Sequence, residues 1–356
     1  MSSNKKISII LPFVATKPIG GIKIMYQYAN ELAKRGHSIT IYHAVTKFER
    51  TSLLPSYFKK LIFKLRRVER PTWFPLHPSI VSKIITRVNK RNVDDADIIF
   101  STWWGIAYLV DKLASSKGKK FNLIQGYEIW KGNVDLVHKS YALKSLHQIV
   151  IAKYLMELVA SFTGKQPLYL PNAIDTEKFA IRIPPQQRNP ASICMLYSED
   201  PIKGSSFGLE ALIKAKEKTP ELKVELFSIY KNPGNLPDWI TFHYKPNDLA
   251  EVYNANAMFV SPSLTEGWAL PPAEAMACGC AVICTNIGGH QDYAFDGETS
   301  LLVKPEDSDD ITSKILTLIQ DARLRDKLAN SGNSYLKKNF SWDRSVIMLE
   351  EYFEKC

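Results

Sequence analysis

The sequence has no long hydrophobic run and little cysteine. Its longest uncharged stretch, residues 275–291, is interrupted by three glycines, an asparagine, a histidine and a glutamine, whereas a transmembrane helix needs about 20 mostly apolar residues. The short apolar run at residues 7–15 has no small-residue cleavage site before Lys17, so we expect a strand and not a signal peptide. The five cysteines are an odd number and three of them lie within residues 278–284, unlike a secreted disulfide framework. These absences predict a cytoplasmic protein.

Internal repeats and metal-ligand spacings are missing as well. The 17 glycines and 20 prolines follow no fixed period, which excludes collagen-like and low-complexity chains, and no solenoid or propeller repeat is visible. Cys278, Cys280 and Cys284 lack the C-x2-C spacing of a zinc site, so we expect no metal ion and no cofactor. The chain does contain 45% hydrophobic residues over a length of 356, enough for two domains with cores of their own.

Positive charge is unevenly distributed along the chain. Residues 1–170 hold 27 Lys and Arg against 10 Asp and Glu, and residues 171–356 hold 19 against 26, so the halves carry +17 and −7, which sum to +10. A basic half joined to an acidic half predicts two domains with different partners. The basic half requires an anionic partner, such as a nucleic acid, an anionic membrane or a phosphorylated substrate.

Alternating strand and helix patterns predict an α/β fold. Near the N-terminus a helix places Met25, Tyr28, Ala29 and Leu32 on one face at spacings i, i+3, i+4 and i+7, and Gly36 ends it. The second half repeats the alternation. Strand, helix, strand in this order implies parallel pairing in a Rossmann-like sheet.

The domain organisation follows from these patterns. The proline-rich stretch IPPQQRNP at residues 183–190 is the best linker candidate. We expect two Rossmann-like domains, at 1–170 and 171–340, that face each other across a cleft, with a helix at 341–356 packing back toward the first domain. Ligands of such sheets bind beyond the carboxyl ends of the strands.

An insertion at residues 47–92 breaks the alternation. Basic and apolar residues are interleaved in it, and they are Phe58, Lys59, Lys60, Leu61, Ile62, Phe63, Lys64, Leu65, Arg66, Arg67, Val68 and Arg70. This pattern is typical of a basic amphipathic helix on an anionic membrane surface. It is equally typical of a solvated basic face above a core-facing apolar stripe, and both interpretations stay open here.

The most informative stretch is SPSLTEGWALPPAEAMACGCAVICT at residues 261–285. It leaves a strand, turns through Glu266 and begins a helix at two prolines, where missing N–H groups are least harmful. The free N–H groups of the turn and the positive end of the helix predict an anion site that suits a diphosphate. Glu274, eight residues after Glu266, is a candidate to accept hydrogen bonds from a ribose.

The two glutamates, as E-x7-E within EGWALPPAEAMACG, resemble the signature of the retaining glycosyltransferases of family 4. Those enzymes have the GT-B fold and use sugar nucleotides without a metal. Further stretches similar to that family follow in its order, namely LPNAID at 170–175, Lys203-Gly204, DLAEVYNANAMFVSPS at 248–263, Gly288-Gly289, Asp296-Gly297 and LLV at 301–303. The resemblance is strong across residues 170–340 and rests on topology and the Gly20-Gly21 loop before that.

The resemblance implies a role for each matching residue. Glu266 would contact the hydroxyls of the donor sugar, Glu274 the ribose, and Lys203 the departing diphosphate. Backbone groups would hold the sugar, the diphosphate and the base, and the residues that supply them are Gly267, Trp268, Ala269, Leu270 and, for the base, Tyr244. Gly20 and Gly21 would cover the diphosphate from the first domain.

The chain also departs from the family pattern. Tyr197 stands where the family usually has an arginine, six residues before the lysine, so one diphosphate cation is missing. Where the first domain of the family often offers a histidine, this chain reads STWW at 101–104 and QGYE at 125–128. Glu128 is therefore a candidate for binding the acceptor hydroxyl, and helix capping or a salt bridge is the alternative role. The Gln125-x-Tyr-Glu string also resembles a subgroup of bacterial surface-polysaccharide transferases.

The sequence thus predicts a retaining, metal-independent glycosyltransferase of GT-B fold. Its first domain would bind the acceptor and its second the nucleotide sugar. It would transfer a hexose-type sugar from a nucleoside diphosphate to a hydroxyl of a glycan or lipid-linked glycan, at the cytosolic face of a membrane, in surface-polysaccharide assembly. Two alternatives remain, a GT-B-fold nucleotide-sugar epimerase and a basic nucleic-acid-binding protein. We expect no nucleic-acid partner, because no recognition motif is present.

Overall fold

The computed structural model of the chain describes residues 4–45, 56–65, 68–129 and 132–356. These residues form two compact units. Unit 1 takes the chain up to Asn172 together with Asp343–Cys356, and unit 2 is Ala173–Trp342. The division falls two residues beyond the predicted boundary at 170/171. Each unit is an α/β domain around one parallel sheet.

Unit 1 is built on a seven-stranded parallel sheet of order β3-β2-β1-β4-β5-β6-β7. Its strands are β1 Lys6–Leu11, β2 Ser38–Ala44, β3 Val81–Ile85, β4 Ile98–Thr102, β5 Lys119–Ile124, β6 Leu146–Val150 and β7 Leu168–Tyr169. Its helices are α1 Gly20–Lys34, α2 Ser56–Leu65, α3 Trp104–Asp111, α4 Val134–Tyr141 and α5 Lys153–Thr163, together with α11, the helix Trp342–Lys355.

The sequence patterns explain why the first elements form. β1 and β4 are apolar runs that are buried along almost their whole length, as parallel strands covered on both faces must be. The predicted face of α1 is confirmed, since Met25, Tyr28, Ala29 and Leu32 are all fully buried. Gly36 follows the helix with φ +95°, a conformation that glycine adopts without the strain of a side chain. The chain can therefore turn directly into β2.

The last helix completes unit 1. Phe353 on α11 packs against Phe121, with ring centroids 4.7 Å apart, and more loosely against Phe100 at 6.0 Å. Glu350 on the same helix accepts hydrogen bonds from Arg35 at 3.0 Å and from His37 at 2.9 Å. The end of the chain therefore contributes both apolar and ionic contacts to the unit that contains its beginning.

Unit 2 is built on a six-stranded parallel sheet of order β10-β9-β8-β11-β12-β13. Its strands are β8 Ser192–Leu196, β9 Lys223–Ser228, β10 Ile240–Tyr244, β11 Met258–Ser261, β12 Ala281–Thr285 and β13 Ser300–Val303. Its helices are α6 Ser205–Lys218, α7 Leu249–Ala255, α8 Leu270–Ala277, α9 Ser308–Gln320 and α10 Ala322–Asn339. The strand order reverses direction between β8 and β11, and open α/β sheets bind ligands beyond the carboxyl ends of the strands at such a point.

The basic insertion contains more regular structure than its sequence suggests. Strand β3 lies inside it and pairs in parallel with β2, with Thr40 opposite Val81, so part of the insertion belongs to the sheet. Arg70, which the sequence places among the membrane-facing cations, donates instead to the backbone oxygens of Leu76, His77 and Ile80. The Arg70 guanidinium therefore links three backbone carbonyl groups within the insertion.

The rest of the predicted amphipathic segment is partly described. On α2 the side chains of Phe58, Leu61 and Leu65 are 54%, 48% and 76% exposed, so these apolar residues do not belong to the core. Arg66 and Arg67, and the side chains of Lys59 and Lys64, lie outside the described residues. Among the helices that the structure describes, none is long and apolar enough to cross a bilayer.

Candidate functional site

The candidate site of unit 2 lies at the point where the strand order reverses. The loop after β8 carries Lys203, and the loop after β11 carries Glu266. The Lys203 ammonium donates to both carboxylate oxygens of Glu266, at 2.8 Å and 2.9 Å, and Ser263 Oγ donates to Glu266 Oε1 at 2.9 Å. Two of the four charged residues that the sequence analysis selected are therefore brought together as a half-buried ion pair.

Close backbone packing holds the two loops together. Leu264 N donates to Ile202 O at 2.8 Å. Gly204 adopts the left-handed conformation with φ +63°, and a Cβ at this position would lie 2.0 Å from the carbonyl oxygen of Pro262. A side chain at position 204 would push the two loops apart. In the Lys203-Gly204 pair, the lysine therefore supplies the cation, and the glycine allows the close loop packing that places this cation beside Glu266.

A third loop supports Glu266 from the other side. A Cβ on Gly289 would lie 2.4 Å from Glu266 Cβ and 2.6 Å from its carbonyl oxygen. Gly289 O accepts the N–H of Ala269 at 3.1 Å. The sequence predicted a free N–H at Ala269, but the 288–289 turn takes it up, and the contact of the Ala269 backbone with a donor stays a prediction.

In the predicted anion-binding turn, the Trp268 side chain is structural. The Trp268 side chain is buried and packs edge-on against Tyr293 and Phe340, at 4.8 Å and 5.4 Å between ring centroids. It anchors the turn in the core, so only its backbone remains for a ligand. Gly267 and Leu270 flank this anchor, one in the turn and the other at the first position of α8.

Glu274 is the second glutamate of the E-x7-E string. It is only 4% exposed, and it accepts a hydrogen bond from the Tyr253 hydroxyl at 3.4 Å. The small pocket beside the pair includes Lys203, Ser261, Ser263 and Glu266 in its lining but not Glu274. The ribose role of Glu274 stays a prediction.

Two tyrosines were singled out by the sequence. Tyr197, at the family's arginine position, packs its ring against Phe242 with centroids 5.9 Å apart, so an aromatic contact replaces a cation there. Tyr244 ends β10 and is 46% exposed, with the Lys245 ammonium 4.8 Å from its ring centroid. Its position at the carboxyl end of a strand is compatible with the predicted contact to a base.

Sequence reasoning missed the polar residues behind Glu266. They are Ser261, Ser263, Thr285 and His290, all buried. The signal that could have found them is positional, because the first three lie at or just after the carboxyl ends of β11 and β12, where site residues of parallel sheets gather.

In unit 1 the Gly20-Gly21 loop opens α1. The helix has no side-chain cap and no acidic residue in its first turn, which leaves its positive end available to an anion. The Gln125 amide donates to Gly21 O at 3.1 Å and to Thr102 Oγ1 at 2.9 Å. Gln125, from the QGYE string, therefore links the Gly20-Gly21 turn to the carboxyl end of strand β4.

Glu128 caps a helix. Its carboxyl accepts the N–H of Trp104 at 3.1 Å, at the first position of α3. The preceding Trp103 has the strained φ of +73°. Burial raises the pKa of Glu128 to about 7, against which the Trp104 hydrogen bond acts only weakly. The capping role that the sequence left as an alternative is present, and the role in acceptor binding stays a prediction.

The described residues, which leave out 1–3, 46–55, 66–67 and 130–131, contain no group of three His, Cys, Asp or Glu side chains that could hold a metal ion. Cys194, Cys278, Cys280 and Cys284 are buried as free thiols. Burial raises the pKa of the Cys284 thiol to about 12, so this thiol stays protonated at neutral pH.

Comparisons with known proteins match unit 2 most closely in sequence. Residues 221–335 match the family model for glycosyl transferases group 1. The O-antigen chain mannosyltransferase B of Escherichia coli is 37% identical over 112 residues, which is 31% of this chain and 29% of that protein. The D-inositol 3-phosphate glycosyltransferase of Rhodococcus opacus is 34% identical over 108 residues, 30% of this chain and 24% of that protein. The matches thus span less than a third of these relatives.

Solved structures are similar over nearly the whole chain. The HepE protein of Anabaena in complex with UDP has a TM-score of 0.76 at 14% identity and is covered completely, with 99% of this chain. The sucrose-phosphate synthase of Thermosynechococcus elongatus has a TM-score of 0.68 at 16% identity, over 98% of both chains. Such identities show the fold alone, and that fold is GT-B. The family match covers residues 221–335, most of unit 2, so this part of the chain is similar to the glycosyl transferases group 1.

Proposed function

We propose that the protein transfers a hexose-type sugar from a nucleoside diphosphate sugar to a hydroxyl of a glycan or lipid-linked glycan, with retention of configuration and without a metal ion. The observation that carries the proposal is the Lys203–Glu266 ion pair at the strand-order reversal of unit 2. Glu266 lies within the segment that matches the glycosyl transferases group 1 family, and Lys203 lies shortly before that segment.

The chemistry requires this pair of charges. The bond between the anomeric carbon and the diphosphate oxygen breaks, and its electron pair leaves with the diphosphate. Negative charge therefore grows on the leaving group while positive charge grows on the sugar ring. Lys203 is placed to neutralise the first, and Glu266 to accept hydrogen bonds from the sugar hydroxyls. Fixed groups aimed at developing charge are usually the largest contribution to catalysis.

The acceptor hydroxyl forms the new bond on the face that the diphosphate leaves. Its proton passes to an oxygen of the departing diphosphate, so no enzyme nucleophile is needed. Named relatives support the substrate class, since one is an O-antigen chain mannosyltransferase and one structural neighbour was solved with UDP-glucose. We infer from these names a role in surface-polysaccharide assembly.

Thermal denaturation with UDP, GDP, dTDP and ADP, each with and without magnesium, tests the donor site. One nucleotide should stabilise the wild type by about 2.7 kcal/mol at 100 times its dissociation constant, with or without magnesium. Glu266→Gln should bind the nucleotide but fail to turn over the sugar donor. The matched control is Glu221→Gln, an exposed residue before β9 at the opposite edge of the sheet.

Each part of the proposal has its own contrary result. A shift that needs magnesium overturns metal independence, and a product of inverted anomeric configuration by NMR overturns retention. No shift with any nucleotide overturns the transferase itself, and salt-dependent binding of oligonucleotides would then favour a nucleic-acid-binding protein.

We further propose that unit 1 associates with an anionic membrane through α2. The exposed Phe58, Leu61 and Leu65 are apolar residues three and four positions apart on one helix, and residues 1–170 carry +17. Such a helix binds by apolar burial and by attraction to anionic lipid. The protein should float with vesicles that contain phosphatidylglycerol and not with neutral ones. Leu61→Ser with Leu65→Ser should abolish this, whereas the control Ile213→Ser on α6 should not.

A further inference from the structure

Four buried polar side chains form a connected group behind Glu266. Thr285 Oγ1 donates to Ser263 O at 2.5 Å, and Ser263 Oγ donates to Glu266 Oε1 at 2.9 Å. His290 Nδ1 lies 2.8 Å from Thr285 O, and its Nε2 lies 3.4 Å from Ser261 Oγ. Buried polar groups destabilise the fold unless they are hydrogen-bonded, so each member constrains the next.

The partner of Nδ1 decides which nitrogen of the His290 ring carries the proton when the ring is neutral. A backbone carbonyl can only accept, so Nδ1 must carry the proton that lies between it and Thr285 O. In the neutral ring Nε2 carries the lone pair, to which the Ser261 hydroxyl donates over 3.4 Å, and burial favours this neutral form. The ring that fits this environment is neutral, with its proton on Nδ1.

The backbone around His290 also reaches Glu266. Gly289, the residue before it, touches Glu266 so closely that a Cβ would have no room, and its carbonyl holds the N–H of Ala269. His290 N donates to Ile287 O at 3.0 Å, and Ala294 N donates to His290 O at 2.9 Å. The imidazole therefore closes the 285–290 turn from inside, and this turn backs the glutamate.

We propose that His290, as a neutral imidazole, is a positioning residue that holds the 285–290 turn against Glu266 and so keeps the Glu266 carboxylate aimed at Lys203. This role rests on the proposed function, because Glu266 is the residue that it positions. His290 itself touches no substrate in this account.

The surroundings of His290 make its charged form unfavourable. Burial lowers the pKa of His290 from its ordinary 6.5, the Thr285 carbonyl and Glu266 oppose that change, and Lys203 adds to it. The ring of Tyr293 lies edge-on at 6.2 Å. Protonation of Nε2 would turn the ring into a cation near Glu266, and this cation would compete with Lys203 for the carboxylate. Acid should therefore disturb the site through this histidine, at a pH below 6.5.

The test compares two substitutions. His290→Asn keeps a side-chain N–H that can reach Thr285 O, and His290→Leu fills the space without one. We expect kcat of the Leu variant to fall about 3- to 10-fold, the factor that corresponds to one lost neutral hydrogen bond, with the KM for the donor little changed. The acid limb of the kcat profile should shift in the Leu variant. The Asn variant should recover most of kcat.

Three results would overturn the proposal. They are an unchanged kcat and acid limb in a folded His290→Leu variant, an Asn variant as impaired as the Leu variant, and a loss confined to KM. The ¹⁵N NMR spectrum of the His290 ring tests the proposed protonation state without any sugar donor. It must show a neutral ring that is protonated at Nδ1 at pH 7. If that spectrum is as expected and the wild type transfers no sugar, then the proposed function fails and not the geometry.

Discussion

Replacing Lys203 by methionine separates what the ion pair does for stability from what it does for a ligand. The pair has ideal two-point geometry, and its side chains are 27% and 14% exposed. Exposed pairs contribute about 0–1 kcal/mol, whereas breaking a buried pair costs about 3–5 kcal/mol. For a pair that is largely but not fully buried, and that leaves Ser263 on the carboxylate, we expect Lys203→Met to lower the unfolding free energy by about 2 kcal/mol.

The second effect of the substitution concerns the diphosphate. A charge-assisted hydrogen bond contributes about 1.5–3 kcal/mol, so losing the ammonium should weaken binding of a nucleoside diphosphate by about 10- to 100-fold. Binding of the bare nucleoside should hardly change, since it lacks the phosphates. Isothermal titration with nucleoside, monophosphate and diphosphate gives this comparison in one series.

A double variant and a matched control sharpen the test. Lys203→Met with Glu266→Gln removes both charges, so it should recover much of the lost stability but none of the lost affinity. Lys218→Met, an exposed lysine at the end of α6, should change neither. The reasoning is refuted if Lys203→Met binds the diphosphate as tightly as the wild type, or if the double variant is as unstable as the single one.

Three further variants test single features of the two units. Gly204→Ala should lower the melting temperature far more than Gly297→Ala, because both have left-handed φ but only Gly204 faces the carbonyl of Pro262; equal losses would contradict this. The raised pKa of Glu128, about 7, means that the folded state holds a proton that the unfolded chain releases, so stability should fall from about pH 4.5 to 7. Glu128→Gln should flatten that part of the curve of melting temperature against pH, and an unchanged slope would refute the raised pKa. Phe353→Ala should destabilise unit 1 by about 3–5 kcal/mol in denaturant titrations, and a loss below 1 kcal/mol would mean that α11 is dispensable.

The sequence predicted the type of fold and singled out both residues of the ion pair, though not their pairing, because these features depend on local signals. The apolar spacing of α1 and the buried runs of β1 and β4 are written in neighbouring residues, and parallel pairing follows from their order. Lys203 and Glu266 could be matched because each stands in a short string of the family. Their distance of 2.8 Å could not be read from the chain, since they are separated by 63 positions.

Features that depend on long-range packing escaped prediction. Strand β3 lies at the edge of its sheet, and its first residue, Val81, is almost half exposed. It therefore lacks the continuous apolar run by which a buried parallel strand is recognised. The sequence also gave no sign that the N–H of Ala269 is taken up by a turn that is distant along the chain. His290 carries no local signal at all, because a lone histidine is informative only when its partners, Thr285 and Ser261, are known.

The return of α11 to unit 1 has a consequence for how the protein is made. A chain emerging from the ribosome presents residues 173–342, the whole of unit 2, before the last helix has been synthesised. Nascent domains usually fold from the N-terminus onward, but here unit 1 includes residues 343–356, which follow unit 2 along the chain. The aromatic side chains Phe100 and Phe121 lack the ring of Phe353 until those residues have been made. We expect a ribosome stalled at residue 342, with a linker to span the exit tunnel, to hold a protease-resistant unit 2 and a protease-sensitive unit 1.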